Sequence, residues 1–328
     1  MTTCSICNKG VLEPFRVVDG LAFLVCPSCG SFIADHEAFI ARTKDNPPNY
    51  GDAFWQKELT TANERFCGTS LLRVAEIFRL AQLPLRRFLD ISAGNGGLLD
   101  ALDGLLPERS SLFYGIEPFP PPEAFRSRHP NYKIGTIDDL DGAFDAGVCI
   151  EVIEHLFPDQ LRKMLASLAA HSNTGALYYF NSAQPSHVVT SYPTYLDPFK
   201  SGHVVSYAIA GLRPLFASCG FTVHPLPGRD WAFLAEYGNV TEETVDSLFD
   251  RLWHPLDDNL ATLSACRYGP LFKAMGLESA RCYLESAQVE TRTRWAQELQ
   301  RQLDRSPPQT ASAFWTFVRR VGRFLRRT

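Results

Sequence analysis

The stretch that decides the fold is RRFLDISAGNGGLLDAL, residues 86–102. Its apolar run over 88–91 suits a short buried strand, the small residues that follow suit a tight turn, and LLDAL opens an amphipathic helix. A strand feeding a glycine turn and then a helix amino-terminus is a nucleotide-binding device, because only small residues let backbone approach a ligand closely. About twenty residues further on, LFYGIEPF supplies a second strand ending in Glu117, where a carboxylate grips a ribose diol through two hydrogen bonds. YKIGTIDDL, FDAGVCIEVIEHL and GALYYFNSAQP then read as the third, fourth and fifth strands. This alternation of strand and helix predicts an α/β protein with a doubly wound sheet.

With the four motifs in this order, and with the spacing Asp90-x-Ser92-x-Gly94-x-Gly96, the sequence resembles the class I S-adenosylmethionine-dependent methyltransferases over residues 83–238. The resemblance implies a Rossmann-like sheet of seven strands and S-adenosylmethionine as cofactor. It assigns the methionine part of the cofactor to Asp90, Ser92, Ala93, Gly94 and Gly96, the ribose to Glu117, and the adenine to Ile137 and Asp138. One departure stands out: Ser92 replaces the first glycine of the family's acid-x-Gly-x-Gly-x-Gly. Serine is accommodated in tight turns, so cofactor binding is expected to survive. A nicotinamide-binding domain is disfavoured, since the spacing is not G-x-G-x-x-G.

The stretch CIEVIEHLF, residues 149–157, lies where the fourth strand ends, and ligands of doubly wound sheets meet the chain at the carboxyl ends of the strands. Read as the start of a helix, it puts Glu151, Glu154 and His155 on one face. The plain alternative is an acidic helix start that interacts favourably with the macrodipole. The stretch is similar to ubiquinone-pathway O-methyltransferases and small-RNA 2′-O-methyltransferases. That similarity implies a magnesium set of Glu151, Glu154 and His155, with His203 as the downstream histidine. Catalytic roles accordingly fall to His155, Glu151 and His203, because an alcohol acceptor needs a nearby base or a divalent cation to become nucleophilic.

At the amino-terminus, Cys4, Cys7, Cys26 and Cys29 form two C-x2-C pairs. This spacing places four thiolates on two turns, as in zinc ribbons, and FRVVDGLAFLV between them reads as a hairpin about Asp19-Gly20. A closed four-thiolate site supports folding and leaves no open coordination position for catalysis.

The expected organisation is a zinc ribbon over 1–40, a helical linker covering the pocket over 41–82, the methyltransferase domain over 83–238, a helical extension over 239–308 and a basic amphipathic tail helix over 309–328. The tail carries five arginines and no acid from Ala311 onward and suits either an anionic membrane surface or a protein partner. Residues 186–202, SHVVTSYPTYLDPFKSG, suit a substrate-covering loop that offers His187, Tyr192 and Tyr195; their rings serve equally as loop anchors. NPPNYGDAFWQKEL, residues 46–59, suits the opposite wall of the pocket. The net charge of −4 argues against a nucleic-acid groove over the body. No apolar run reaches the roughly 20 residues of a spanning helix, and no secretory signal opens the chain, so a cytoplasmic enzyme with reduced thiols is expected, with a peripheral place on the inner membrane face open to the tail. O-methylation of a sugar, glycan or related metabolite is the leading expectation. RNA 2′-O-methylation, sugar C-methylation and a non-catalytic binding module with a degenerate cofactor pocket are the alternatives.

Overall fold

The computed structural model describes residues 3–44, 66–239 and 241–305, together with 55, 56 and 59. The amino-terminal segment folds as the hairpin β1 (Glu13–Val18) and β2 (Leu21–Val25), followed by β3 (Phe32–Ala34) and helix α1 (His36–Thr43). Asp19 and Gly20 join the hairpin with φ of 48° and 75°, the two left-handed residues that a tight right-twisted hairpin requires. Both C-x2-C turns lie at one end of this sheet, and all four cysteines are buried.

Helix α2 (Leu71–Leu80) leads to β4 (Phe88–Ile91), helix α3 (Gly97–Leu105), β5 (Phe113–Glu117), β6 (Tyr132–Ile134) and β7 (Phe144–Ile150). Then come α4 (Pro158–Ala170), β8 (Ser172–Asn181), the short α5 (Pro185–Thr190), β9 (Val205–Ser206), α6 (Ile209–Ala217), β10 (Phe221–Pro225) and β11 (Ala232–Tyr237). Seven of these strands form one sheet in the order β10-β11-β8-β7-β4-β5-β6. The pairs from β8 through β6 are parallel, and β11 runs antiparallel to both β8 and β10. The strand order reverses beside β4, so the ends of β4 and β7 flank the crevice in which such sheets bind ligands.

Every residue of β4 is buried, as expected for a parallel strand covered on both faces. Successive side chains alternate between two cores: Leu89 and Ile91 join Ile116, Tyr178, Phe180 and Phe216 on one face, while Phe88 packs with Leu98, Phe113, Val148 and Tyr179 on the other. Each large apolar side chain removed from water in this way contributes about 2–3 kcal/mol. Gly147 leaves no room for a side chain, since a Cβ there would run into the Leu89 carbonyl oxygen of β4 and the Tyr178 ring.

Helices α7 (Val245–Trp253), α8 (Asp257–Ser264) and α9 (Gly269–Arg305) close the second core against α2. Phe272 meets Phe78 edge-on at 5.8 Å, and the Arg79 guanidinium donates twice to the Leu252 carbonyl. The buried Asn259 side chain accepts from Leu85 N–H and donates to the Leu83 carbonyl, so the extension satisfies the backbone just ahead of β4.

One strand crosses between the two sheets. β9 lies beyond the fifth parallel strand in sequence, yet it pairs antiparallel with β3, giving the amino-terminal sheet the order β1-β2-β3-β9.

The helix expected over residues 151–155 is absent. Glu151 takes φ +54°, Ile153–His155 form a single 3-10 turn, and α4 begins only at Pro158. Pro158 disfavours the helical conformation at the residue before it, and Phe157 is extended at ψ 158°. The common helical face read for Glu151, Glu154 and His155 therefore does not exist.

Candidate active site

On one side of the crevice, the glycine turn takes left-handed backbone at Ser92 (φ 55°), Gly94 (φ 57°) and Gly96 (φ 81°). Gly96 admits no other residue, because a Cβ would lie 2.5 Å from Ser127 Cβ and 2.9 Å from the Tyr132 ring. Ser92 adopts a conformation that costs an L-residue about 1–2 kcal/mol. The Glu117 carboxylate closes the turn: Gly94 N–H donates to Oε2 at 2.7 Å and Phe119 N–H to Oε1 at 2.8 Å. Each oxygen keeps further lone-pair capacity for a ribose hydroxyl. Asp90 is buried beside it, and burial, reinforced by the Glu117 charge, pushes its carboxyl up to about 8. Burial also raises Glu117. Two buried carboxyls whose charge is this costly suit a ligand that brings positive charge, as the sulfonium and ammonium of S-adenosylmethionine do. The residues present therefore fit that cofactor.

Tyr132, which the sequence reading passed over, donates its hydroxyl to the Gly94 carbonyl at 2.6 Å and pins the turn from β6. Ile137 is buried in the 3-10 turn after β6, whereas the Asp138 carboxylate is exposed and accepts from Ser167 on α4. Ala93 is buried within the turn.

Across the crevice, Glu154, His155 and His203 bring their ligand atoms within 4.8 Å of one another. Glu154 is fully buried, and neither carboxylate oxygen has a well-formed hydrogen bond, although Glu151, Ser182 and Tyr195 lie beside them; burial raises its pKa. His155 Nδ1 lies 3.1 Å from the Gly202 carbonyl, and His203 Nδ1 lies 2.8 Å from the Tyr195 carbonyl. A carbonyl only accepts, so both Nδ1 atoms carry the proton and both Nε2 atoms keep a lone pair. Burial lowers the pKa of His155, and burial together with His155 lowers that of His203 to about 4; the two imidazoles are neutral at physiological pH. The rings meet edge-on with centroids 4.9 Å apart, and His203 Nε2 is 3.9 Å from Glu154 Oε1.

Glu151 lies outside this three-residue set. Its strained backbone turns the carboxylate toward Asn181 Nδ2, a contact made at the end of β8. Left-handed backbone at a non-glycine residue marks a place where surrounding structure imposes a conformation.

Of the loop aromatics, Tyr195 is buried and acts as an anchor, with its hydroxyl accepting from Ala183 N–H and its ring 4.4 Å from that of His203. Tyr192 is exposed, and His187 pairs with Asp230 at 2.9 Å. Most of residues 46–59 and the whole tail from 309 onward lie outside the described residues, so the pocket wall and tail helix read there are not described. No described helix is long and apolar enough to cross a membrane.

Cys4, Cys7, Cys26 and Cys29 converge with all four sulfurs within 4.8 Å of one another; Cys7 and Cys26 are 3.6 Å apart and Cys4 and Cys29 4.0 Å. Tetrahedral zinc with Zn–S bonds of about 2.3 Å separates its sulfurs by about 3.8 Å, so the donor set fits.

No curated protein matches the chain. Among solved structures, it is similar to an amino pentose methyltransferase from Micromonospora echinaspora involved in calicheamicin biosynthesis, at 18% identity over 54% of this chain and 96% of that one, with a TM-score of 0.41. It is similar to DesVI of Streptomyces venezuelae at 15% identity over 56% and 96%, also with a TM-score of 0.41. For magnesium protoporphyrin IX methyltransferase of Synechocystis the values are 17%, 57%, 90% and 0.37. Likenesses this distant do not bear on the acceptor. A family model described as a methyltransferase domain matches residues 59–226, from ahead of α2 through the β10 edge of the sheet. That match spans half the chain and the whole crevice just described, and the protein belongs to the methyltransferase domain family.

Proposed function

We propose that this methyltransferase acts on a hydroxyl oxygen of a sugar or related small metabolite, and that Glu154, His155 and His203 form its acceptor side. The observation that carries the reading is a pair of imidazoles, each with Nδ1 on a backbone carbonyl, whose ligand atoms meet those of a buried carboxylate within 4.8 Å. When bound, S-adenosylmethionine supplies an electrophilic methyl group on a sulfur that is already an activated leaving group. Asp90 and Glu117, with the backbone of the 92–96 turn, would hold it. The chain contributes alignment, exclusion of water and a place for the acceptor's proton. A hydroxyl is a poor nucleophile at neutral pH, and Nε2 of His155 is a base able to take its proton. Glu154 balances the imidazolium that results. The acidic body supports a small acceptor over RNA.

A second reading of the same cluster rests on the orphaned oxygens of Glu154. One carboxylate and two imidazole lone pairs make a divalent-cation set. Its nitrogen content favours Mn²⁺ or Zn²⁺ over Mg²⁺, which prefers oxygen ligands and retained water. A cation held there would lower the pKa of a coordinated hydroxyl. In the ribbon, Cys4, Cys7, Cys26 and Cys29 would hold a structural Zn²⁺.

The test is incubation of the purified chain with methyl-labelled S-adenosylmethionine and a panel of sugar nucleotides and hydroxylated metabolites. Label on an oxygen is expected; label on carbon or nitrogen alone overturns the hydroxyl reading.

A further inference from the structure

The amino-terminal sheet and the acceptor cluster are joined by an unbroken backbone relay. Ala34 N–H at the end of β3 donates to the Val204 carbonyl at 2.8 Å, and Val204 N–H donates to the Glu154 carbonyl at 2.9 Å. Val204 directly follows His203, so one residue, through its C=O and its N–H, couples the ribbon strand to both sides of the cluster. Pairing of Ile33 with Val205 and of Phe32 with Ser206 extends the same seam.

Two further groups of contacts run in parallel with that seam. Ser31 is wholly buried, and its Oγ accepts from Ala208 N–H at 3.0 Å and lies 3.4 Å from Cys29 Sγ, which links the four-sulfur cluster to the entry of α6. α6 is packed so closely there that a Cβ on Gly211 would lie 2.8 Å from Ile6 Cγ2 and 3.3 Å from Cys29 Sγ. The loop over residues 186–202 is gripped from the ribbon side as well. Arg16 Nη1 of β1 donates to the Pro193 carbonyl at 2.8 Å, and the Arg42 guanidinium of α1 sits 4.2 Å from the Phe199 ring centroid. Two residues after Pro193 comes Tyr195, whose carbonyl fixes His203 Nδ1.

We propose that the four-cysteine ribbon is the positioning element of the acceptor side, holding the Glu154 turn, His203 and the 186–202 loop in one arrangement, with Arg16 and Arg42 as positioning residues. This assignment rests on the cluster being the acceptor side, as argued above. A ribbon of about forty residues cannot bury enough apolar surface to order itself without its cross-link. A metal held by the four thiolates would therefore control β3, and through β3 the segment that carries Val204. The cofactor side has no such dependence, since its turn is closed by Glu117 and Tyr132 from β5 and β6.

The experiment uses the full chain and reads two signals that do not require an acceptor: amide hydrogen exchange over residues 186–208, and the tautomer of His203 by long-range proton–nitrogen correlation. S-adenosylhomocysteine binding, measured by calorimetry, serves as the cofactor-side control. Metal is withdrawn from the thiolates with a mercurial titrant; separately, Arg16→Ala and Arg42→Ala are combined in a protein that keeps its metal. Metal withdrawal is expected to speed exchange at Val204 by roughly tenfold or more. The double variant is expected to produce a smaller acceleration and a mixture of His203 tautomers, which Arg16→Lys in place of Arg16→Ala partly reverses. Exchange in β4 and β5 and affinity for S-adenosylhomocysteine should stay within about twofold of the native protein. Unchanged Val204 exchange after metal withdrawal overturns the proposal, as does an unchanged His203 tautomer in the double variant. A native chain that fails to bind S-adenosylhomocysteine contradicts the cofactor assignment instead, and the exchange data still decide the ribbon's role.

Discussion

The cofactor side of the crevice is folded from one unbroken stretch, residues 90–138, whereas the acceptor side gathers the turn after β7, the loop after β8 and, behind both, a strand from the ribbon. On the first side, the backbone of the turn is answered from the next two strands: Gly94 and Phe119 N–H by Glu117, and the Gly94 carbonyl by Tyr132. On the second side, Glu154 is buried without a well-formed partner, and Glu151 is held in left-handed backbone. The first side carries its costs, the left-handed Ser92 and the buried Asp90, within one segment; the second carries its own where distant segments meet.

The contrast is open to experiment from the cofactor side, where the largest effect belongs to Glu117. Glu117→Ala removes the acceptor for two backbone donors and the expected partner of the ribose diol, and should weaken S-adenosylmethionine binding by roughly 100-fold, near 3 kcal/mol, in calorimetry. Histidine tautomers in the acceptor cluster should not change. A parallel collapse of the His203 signals would mean that the two sides are not independent.

Next in size is a pH effect carried by Asp90. Its carboxyl is raised to about 8 in the free protein, so it is mostly protonated at neutral pH, and the positive charge of a bound cofactor favours its ionised form. Binding then releases a proton, and affinity must rise with pH by linkage, by about tenfold between pH 7 and 9. In Asp90→Asn that slope should flatten. The same shift acts against folding: the native state holds a proton that the unfolded chain loses above its ordinary carboxyl range, so this group's contribution to stability falls as pH climbs from about 4 to about 8.

The smallest effect tests Ser92. Its φ of 55° is one that glycine adopts freely, so Ser92→Gly relieves strain in the native turn while loosening the unfolded chain. A net gain of about 1 kcal/mol in urea denaturation is expected, with cofactor affinity nearly unchanged. A loss of stability would mean that the serine side chain makes a contribution beyond filling the turn.

The same contrast governs how much of the molecule was legible in the sequence. The strand–turn–helix of residues 86–102 and Glu117 at the end of β5 announce themselves through local spacing, and the seven-stranded sheet is the one that the family resemblance implied. The hairpin at Asp19-Gly20 was legible for the same reason. His203 was named from a resemblance and does meet Glu154 and His155, but the shared helical face of Glu151, Glu154 and His155 was misread, because an i, i+3 argument presumes a helix and Pro158 delays that helix past these residues. The pairing of β3 with β9 spans about 170 residues and involves only a two-residue strand, too short for any periodic signal. Tyr132 serves through its hydroxyl on the Gly94 carbonyl, 38 residues away, and Tyr195 through its backbone carbonyl on the His203 ring, and neither contact leaves a pattern to read.

The central claim, that the cluster at the end of β7 serves the acceptor while the glycine turn serves the cofactor, is tested most directly by one paired measurement on His155→Ala. Once an acceptor from the panel is in hand, turnover and S-adenosylhomocysteine affinity are determined on the same preparation. Turnover should fall by about 100-fold or more with affinity within about twofold of the native value. Native turnover in that variant, or a loss of cofactor affinity equal to the loss of rate, would contradict the division of the site.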